Sequence, residues 1–276
     1  MTKPANKIKI RVKIPKHTFA IKGDDTDLEI RMREAVKNIL INEDNKDKCD
    51  LHNYFINNRE EAIFKHLPYF DIYERYFSKY RGKDLNLLEI GVGSGGSVKM
   101  WKHYFTEKYP DAKVNIYGID VNEKCKQFEK DGIKIFIGSQ SDRNFLREIK
   151  KEIPKVDILI DDAGHITDEQ IITFEEMFDH IKDDGIYWCE DIYTSYWPNF
   201  NGGYRSSTSF IEYTKNLIDY LHASWAIEGD DLEINSFTNT AYSIHYYDGI
   251  IVIEKKIKDP RYTDICQQAS IGKTKK

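Results

Sequence analysis

From residue 85 onward, short apolar runs alternate with stretches of helical spacing. The apolar runs are Leu85–Ile90, Val114–Ile119, Ile133–Ile137, Val156–Ile160 and Gly185–Cys189. Each has strand length and is rich in β-branched or aromatic residues. Between them, Ser97–Lys108, Ser141–Glu152 and Asp168–His180 repeat apolar residues at helical intervals. Strands alternating with helices predict an α/β fold built on a parallel sheet with right-handed crossovers. Ser206–His222 predicts one more helix. Ile234–His245 and Gly249–Lys255 predict two strands around Tyr246-Tyr247-Asp248-Gly249, a C-terminal hairpin that gives the sheet an antiparallel edge.

The first eighty residues carry a different pattern. Ile8, Ile10, Val12 and Ile14 alternate with Lys9, Arg11 and Lys13, as in a strand with one wet face. An exposed edge of this kind seeks a partner strand, so a homo-oligomer is expected. Gly23-Asp24-Asp25 reads as a turn. Leu28, Met32, Val36, Ile39 and Leu40 share a helical face, with Asp27 placed to cap it. Asn42–Asp50 is a charged linker. Glu60–Tyr80 is helical in part and aromatic, and Pro68 interrupts it. The expected division is an N-terminal extension over 1–60, a core domain over 61–258 and a polar tail over 259–276. The extension is an oligomer interface or a cover for an acceptor site.

Composition narrows the classes. A chain of 276 residues holds one large domain plus an extension. Its 41 basic and 46 acidic residues give a net charge of -5, which argues against nucleic acid as the main partner, because phosphate binding needs a basic face. Cys49, Cys125, Cys189 and Cys266 form no C-x-x-C pair, so neither a zinc knuckle nor a disulfide framework is expected. Reduced thiols in the cytoplasm are the expectation instead. No apolar run reaches the roughly 20 residues of a membrane span. Met1–Lys16 lacks the apolar centre of a secretory signal.

Candidate chemistry gathers at the ends of the predicted strands, where open α/β sheets bind ligands. Glu89-Ile90-Gly91-Val92-Gly93-Ser94-Gly95 joins the first strand to a helix. Its glycines allow a sharp turn and close backbone approach to a ligand. A diphosphate at that helix N-terminus would not tolerate Glu89, whereas the cationic amino-acid end of S-adenosylmethionine (SAM) would be helped by it. The competing readings are an ordinary tight turn and a nicotinamide-dependent oxidoreductase resting on the glycines alone. Asp120 ends the second strand, 29 positions after Gly91 (120 − 91), where an acid accepts hydrogen bonds from both ribose hydroxyls. Gly138-Ser139-Gln140-Ser141-Asp142 falls where an adenine would lie, although Ser141 or Asp142 could equally cap a helix.

Asp161-Asp162-x-x-His165 and Glu190-Asp191 end adjacent strands. Four carboxylates in one cleft repel one another, and oxygen ligands suit Mg²⁺, with Mn²⁺ or Ca²⁺ as alternatives. Beside such an ion, His165 is a natural general base. An iron-oxygenase reading needs a second histidine, and His180 falls on a helix instead. Tyr193-Thr194-Ser195-Tyr196-Trp197-Pro198 offers rings for stacking on a sugar face. Asn201-Gly202-Gly203-Tyr204 reads as a flexible loop or lid.

Six motifs follow one another in order: L-E-I-G-V-G-S-G-G-S-x-x-M-W, Y-G-I-D, G-S-Q-S-D, I-D-D-A-G-H, E-D-I-Y-T-S-Y-W and S-I-H-Y-Y-D-G-I-I-V-I-E-K. Together they resemble the metal-dependent SAM O-methyltransferases that act on macrolide sugars, with relatives labelled cephalosporin hydroxylase-like. The resemblance runs from Lys65 to Lys256 and leaves the first sixty residues uncovered. It implies a class I SAM-methyltransferase (Rossmann-like) fold. It implies Mg²⁺ held by Asp162, Glu190 and Asp191, with His165 as base. It implies SAM contacts at Glu89, Gly91, Gly93, Asp120, Gln140 and Ser141, and Asp161 is grouped with these. The implied reaction is Mg²⁺-dependent methyl transfer to a sugar hydroxyl of a glycoside or nucleotide sugar. The alternatives are a nitrogen or phosphoryl-linked acceptor on a polysaccharide precursor, or a SAM-binding protein without catalysis.

Overall fold

The structure, a computed structural model, describes residues 49–227 and 231–257. The expected strand at Ile8–Ile14, the helix at 28–40 and the polar tail lie outside these residues. Helix α1 (Asp50–Asn57) belongs to a unit ending at Asn57 and buries Leu51 and His52. The described residues from Asn58 onward form a second unit.

That second unit is built on a seven-stranded sheet in the order β3-β2-β1-β4-β5-β7-β6. Strands β1 (Leu85–Ile90), β2 (Val114–Asp120), β3 (Ile133–Ile137), β4 (Val156–Asp161) and β5 (Ile181–Cys189) run parallel. Strands β7 (Ile250–Lys255) and β6 (Ala241–Tyr247) close the edge antiparallel, as the hairpin pattern predicts. Leu85, Leu87, Leu88 and Ile90 are all buried, as a central parallel strand covered on both faces requires.

Helix α2 (Tyr69–Phe77) starts directly after Pro68, which lacks the N–H that a helix interior would use. Tyr69, Phe70, Tyr73, Tyr76 and Phe77 form its buried stripe, spaced as one helical face. Tyr73 stacks on Trp188 of β5 at 4.8 Å between centroids and meets Trp101 edge-on at 5.0 Å. Each such ring pair adds about 0.5–1.5 kcal/mol beyond area burial. Helix α3 (Gly96–Thr106) follows the glycine turn and supplies Trp101. Helices α4 (Arg143–Glu152), α5 (Thr167–Met177) and α6 (Phe210–His222) complete the layers. Among the described residues, no helix is long and apolar enough to cross a membrane.

Among the strands, two starts differ most from the sequence reading. Strand β5 begins at Ile181, four residues before Gly185, because Lys182 pairs with Asp157 at 2.8 Å and keeps the polar start of the strand in place. Strand β6 begins at Ala241 rather than Ile234, because a short helix α7 (Ser236–Thr240) precedes it. There the Asn235 side chain accepts from the Thr238 N–H at 3.0 Å, and Thr238 Oγ1 accepts from the Asn235 N–H at 3.2 Å. That reciprocal cap satisfies helix-terminal donors and overrides the local strand preference.

Candidate active site

Three strand ends bring the site together. Asp161 of β4 lies in register with Ile90 of β1 and Cys189 of β5. The ladder continues one step past the strands: the Asp162 N–H donates to Ile90 O at 2.8 Å, and the Glu190 N–H donates to Asp161 O at 2.9 Å. The acids are therefore adjacent through the backbone itself. Gly91 has φ +103°, and a Cβ there would lie 2.6 Å from the Asp162 carbonyl carbon and closer still to its oxygen. This glycine lets the Asp162 loop close on the turn. Gly93 has φ +54° with open space where its Cβ would project. Its N–H donates to Asp120 Oδ2 at 2.8 Å, while Asp120 Oδ1 accepts from the Asn122 N–H at 2.8 Å.

At the carboxyl end of β4 and β5, ligand atoms of Asp162, His165 and Asp191 all lie within 4.8 Å of one another. His165 Nε2 is 3.6 Å from Asp191 Oδ2 and 3.9 Å from Asp162 Oδ1. Both His165 (φ +54°) and Asp191 (φ +53°) hold left-handed backbone, a conformation that costs a non-glycine residue about 1–3 kcal/mol and tends to collect at functional sites. The buried Thr194 hydroxyl sits between the two, 2.8 Å from His165 O and 2.9 Å from Asp191 O. Tyr69 donates to Asp191 Oδ1 at 2.8 Å, and burial followed by the Asp191 charge raises its phenol above the ordinary range.

Glu190, expected beside Asp162 and Asp191, meets Asp162 across the shared Lys65 ammonium rather than at His165. It continues the alternation of β5, so its side chain falls on the same face as Trp188, two residues earlier. There it accepts from Trp188 Nε1 at 3.1 Å, from the Tyr73 hydroxyl and from Lys65 Nζ at 3.1 Å. Burial and the Asp162 charge push its pKa up, against the pull of Lys65. Glu89 is also fully enclosed. It accepts from Ser97 Oγ at 2.8 Å and faces Lys65 at 3.6 Å. Burial lifts it to about 7, against Lys65. Asp161 is buried as well and rises to about 8 through burial and its neighbours Asp162 and Glu169. A single ammonium cannot cancel so many carboxylates.

The adenine-side expectation divides. Gln140 is buried, and neither end of its amide has a partner among the described residues. A buried amide left unpaired is costly, so this side chain is suited to a polar ligand. Asp142 proves to be the cap of α4, accepting from the Asn144 and Phe145 N–H groups at 2.9 and 3.2 Å. Ser141 is exposed and hydrogen-bonded to Ser139 Oγ at 2.7 Å. In the aromatic loop, Tyr193 packs against Trp197 at 5.2 Å and meets His66 Nε2 through its hydroxyl at 3.2 Å. The stretch expected as a lid is tied back: the Gly203 N–H donates to Ser195 O at 2.8 Å, and Asn201 donates to Asp168 Oδ2 at 3.2 Å.

Lys65, Tyr69, Tyr73 and Thr194 escape the sequence reading. Lys65 carries the one available signal, a lone cation in the otherwise apolar and aromatic run around Phe64 and Leu67.

The donor set fits a hard divalent cation. Two carboxylates and one imidazole converge, and Mg²⁺ needs only one or two protein carboxylates, the remaining positions being filled by water or substrate. The glycine turn and Gln140 fit a nucleoside-bearing donor in the same sense: an open face beside Gly93 and a buried, unsatisfied amide.

No protein-family model matches the chain. A demethylmacrocin O-methyltransferase from Streptomyces fradiae is 31% identical over 72% of this chain and 53% of its own length. An 8-demethyl-8-alpha-L-rhamnosyl tetracenomycin-C 2'-O-methyltransferase from Streptomyces olivaceus is 30% identical over 80% of this chain and 59% of its own length. The chain thus spans little more than half the length of the curated relatives it matches. Among solved structures, the MycE methyltransferase from the mycinamycin biosynthetic pathway, in complex with Mg and SAH, is 30% identical with a TM-score of 0.67, over 77% of this chain and 56% of that one. A complex of MycE that also contains mycinamycin VI gives 28% identity and a TM-score of 0.66, over 86% of this chain and 63% of that one.

Proposed function

This chain is a homologue of sugar O-methyltransferases of macrolide and tetracenomycin pathways and has their class I SAM-methyltransferase fold, and we propose that it transfers a methyl group from SAM to a hydroxyl of a sugar or glycoside with a divalent cation, Mg²⁺ by preference. One observation carries this reading: Asp162, His165 and Asp191 converge within 4.8 Å, one backbone step from the glycine turn. On this reading the cation site lies directly beside the donor site.

Asp162 and Asp191 are the groups proposed to hold the ion. Glu190 backs them from the buried face of β5. Gly91, Gly93, Asp120 and Gln140 are proposed to receive the donor, with Glu89 and Asp161 shaping the turn from beneath. When bound, the ion would supply Lewis acidity toward the acceptor hydroxyl and SAM would supply the methyl group. The protein's own contribution is to move a proton and to align the reacting atoms. His165 Nε2, only partly exposed, is the nitrogen that takes the hydroxyl proton, and the carboxylates of Asp162 and Asp191 steady the imidazolium so formed. Holding acceptor and donor in line supplies much of the acceleration, since effective molarities reach about 7–11 kcal/mol in favourable cases. Tyr193 and Trp197 are proposed to pack against the sugar face.

The test is direct. The purified chain is incubated with SAM, MgCl₂ and a panel of deoxysugar glycosides and nucleotide sugars, and products are read by mass spectrometry with fragmentation. The expected product gains one methyl group on a sugar oxygen. EDTA stops the reaction and added Mg²⁺ restores it. Undiminished turnover in EDTA, or a methyl group found on nitrogen, would overturn the reading.

A further inference from the structure

Lys65 lies in the extended segment that leads into α2, yet its side chain is only 1% exposed. Its ammonium donates to Asp162 Oδ2 and to both Glu190 oxygens at 3.1 Å, and it lies 3.6 Å from Glu89 Oε1. The rings of Tyr73 and Trp101 flank it at 5.9 and 5.7 Å. Burying an ammonium is unfavourable unless every charge it meets is paired and hydrogen-bonded. A lysine needed only for solubility or for a surface ion pair would stay in water. This one reaches three acids that belong to different parts of the site.

The partners divide meaningfully. Glu89 and Ser97 flank the glycine turn on the donor side. Asp162 is shared: Oδ2 accepts from Lys65, while Oδ1 turns toward His165. With one carboxylate oxygen pinned, the other is presented in a fixed direction to the group that gathers Asp191. The segment around Lys65 repeats this bridging. Glu61 pairs with Lys99 of α3 at 2.5 Å, and Ala62 and Ile63 press on Gly96. On the other side, His66 meets Tyr193, and Tyr69 meets Asp191. One short stretch of chain thus touches both halves.

Resting on the function proposed above, we propose that Lys65 is a positioning residue that orients Asp162 for the divalent ion and couples ion binding to donor binding. Coupling between two sites is reciprocal. Occupation of the donor turn settles Glu89, Lys65 and hence Asp162, and the ion does the same in the opposite direction. In this proposal the ammonium acts through the carboxylates of Glu89, Asp162 and Glu190 and not on the reacting atoms. Its effect therefore appears in affinities rather than in the chemical step.

Isothermal titration of MgCl₂ into the full chain, with and without saturating SAH, tests this in wild type and in Lys65→Met. In wild type, SAH should tighten Mg²⁺ binding by at least about fivefold, the lower end of ordinary coupling. In Lys65→Met, Mg²⁺ should bind about 10–100-fold more weakly, the usual loss when an orienting group behind a ligand is removed. SAH should then no longer alter its affinity. The direction is discriminating, because deleting a positive charge beside acids would otherwise strengthen cation binding. Equal or tighter Mg²⁺ binding by the variant overturns the proposal. If the variant does not fold, the wild-type pair of titrations still decides, since SAH leaving Mg²⁺ affinity unchanged overturns the coupling. A wild type that binds neither Mg²⁺ nor SAH removes the proposed function and this inference together. A wild type that binds both and methylates, beside a Lys65→Met variant that keeps the coupling, removes this inference alone.

Discussion

Two alanine substitutions two residues apart should behave very differently. In Gly93→Ala the new methyl group enters open space, and only the left-handed backbone (φ +54°) resists it. That strain is about 1–2 kcal/mol, offset by roughly 0.4–1 kcal/mol from a stiffer unfolded chain. The net loss is about 1 kcal/mol. In Gly91→Ala, φ is +103° and the methyl group lands on the backbone of Asp162 and Ala163, 2.6 Å from a carbonyl carbon and 2.8 Å from a Cα. No side-chain rotation can relieve backbone contacts, so the β4 loop must move. Backbone strain of about 1–3 kcal/mol and overpacking of about 1–3 kcal/mol add to roughly 2–6 kcal/mol. For a domain of this size, 1 kcal/mol corresponds to about 2–4 °C. Circular-dichroism melts should therefore show Gly93→Ala about 2–4 °C below wild type and Gly91→Ala about 4–24 °C below. Calorimetric titrations should separate the two further. Gly93→Ala should lose SAH affinity while keeping Mg²⁺ affinity, and Gly91→Ala should lose Mg²⁺ affinity because Asp162 is displaced. Equal melting temperatures for the two variants, or a Gly91→Ala protein that binds Mg²⁺ like wild type, would refute the reasoning.

Other expectations follow from the same geometry. His165→Gln should leave SAH binding intact and lower turnover about 10²–10⁴-fold, the ordinary worth of a general base; stopped-flow or steady-state kinetics that show wild-type turnover would end that assignment. Thr194→Val should cost about 1–3 kcal/mol in urea unfolding, because it takes the hydroxyl donor from the His165 carbonyl, whereas the Asp191 carbonyl keeps the backbone N–H of residue 194 at 3.1 Å, and Thr194→Ser should restore most of it; a Val variant as stable as wild type would count against the bridge. The raised carboxyls give a pH signature. Glu89 and Asp161 bind protons more tightly folded (about 7 and about 8) than unfolded (ordinary values 4.5 and 3.8). Their contribution to stability is thus present at low pH and is lost as pH rises toward 7–8, by up to about 1.4 kcal/mol per pH unit for each group. Melts between pH 5 and pH 8 should show a falling Tm, and MgCl₂ should reduce the fall; a Tm that rises across this range would contradict the burial of these acids.

The sequence already held the architecture. Apolar runs with β-branched residues, spaced by amphipathic helices, leave few arrangements other than a mostly parallel sheet with its ligand site at the strand ends. The positions of Gly91, Gly93, Asp120, Asp162, His165 and Asp191 were legible because each lies at the end of a strand or in the loop that follows it, where chain direction alone sends it to that edge. The starts of β5 and β6 were less legible. An ion pair between Lys182 and Asp157 and a reciprocal cap between Asn235 and Thr238 decided them, and neither is a periodic feature.

What the sequence could not determine is which way each acid faces and what compensates it. Glu190 and Asp191 are neighbours in the chain, yet the pleat of β5 carries one into the aromatic layer with Trp188 and Tyr73, while a left-handed residue turns the other into the cleft with His165. Lys65 stands 97 positions from Asp162 and 125 from Glu190, and only the packing of α2 against the sheet brings its ammonium among them. Periodicity reports which face of a local element is apolar. It carries no information about charges that meet across distant segments, because those pairings are set by how the layers pack and by the free energy of leaving a buried charge alone.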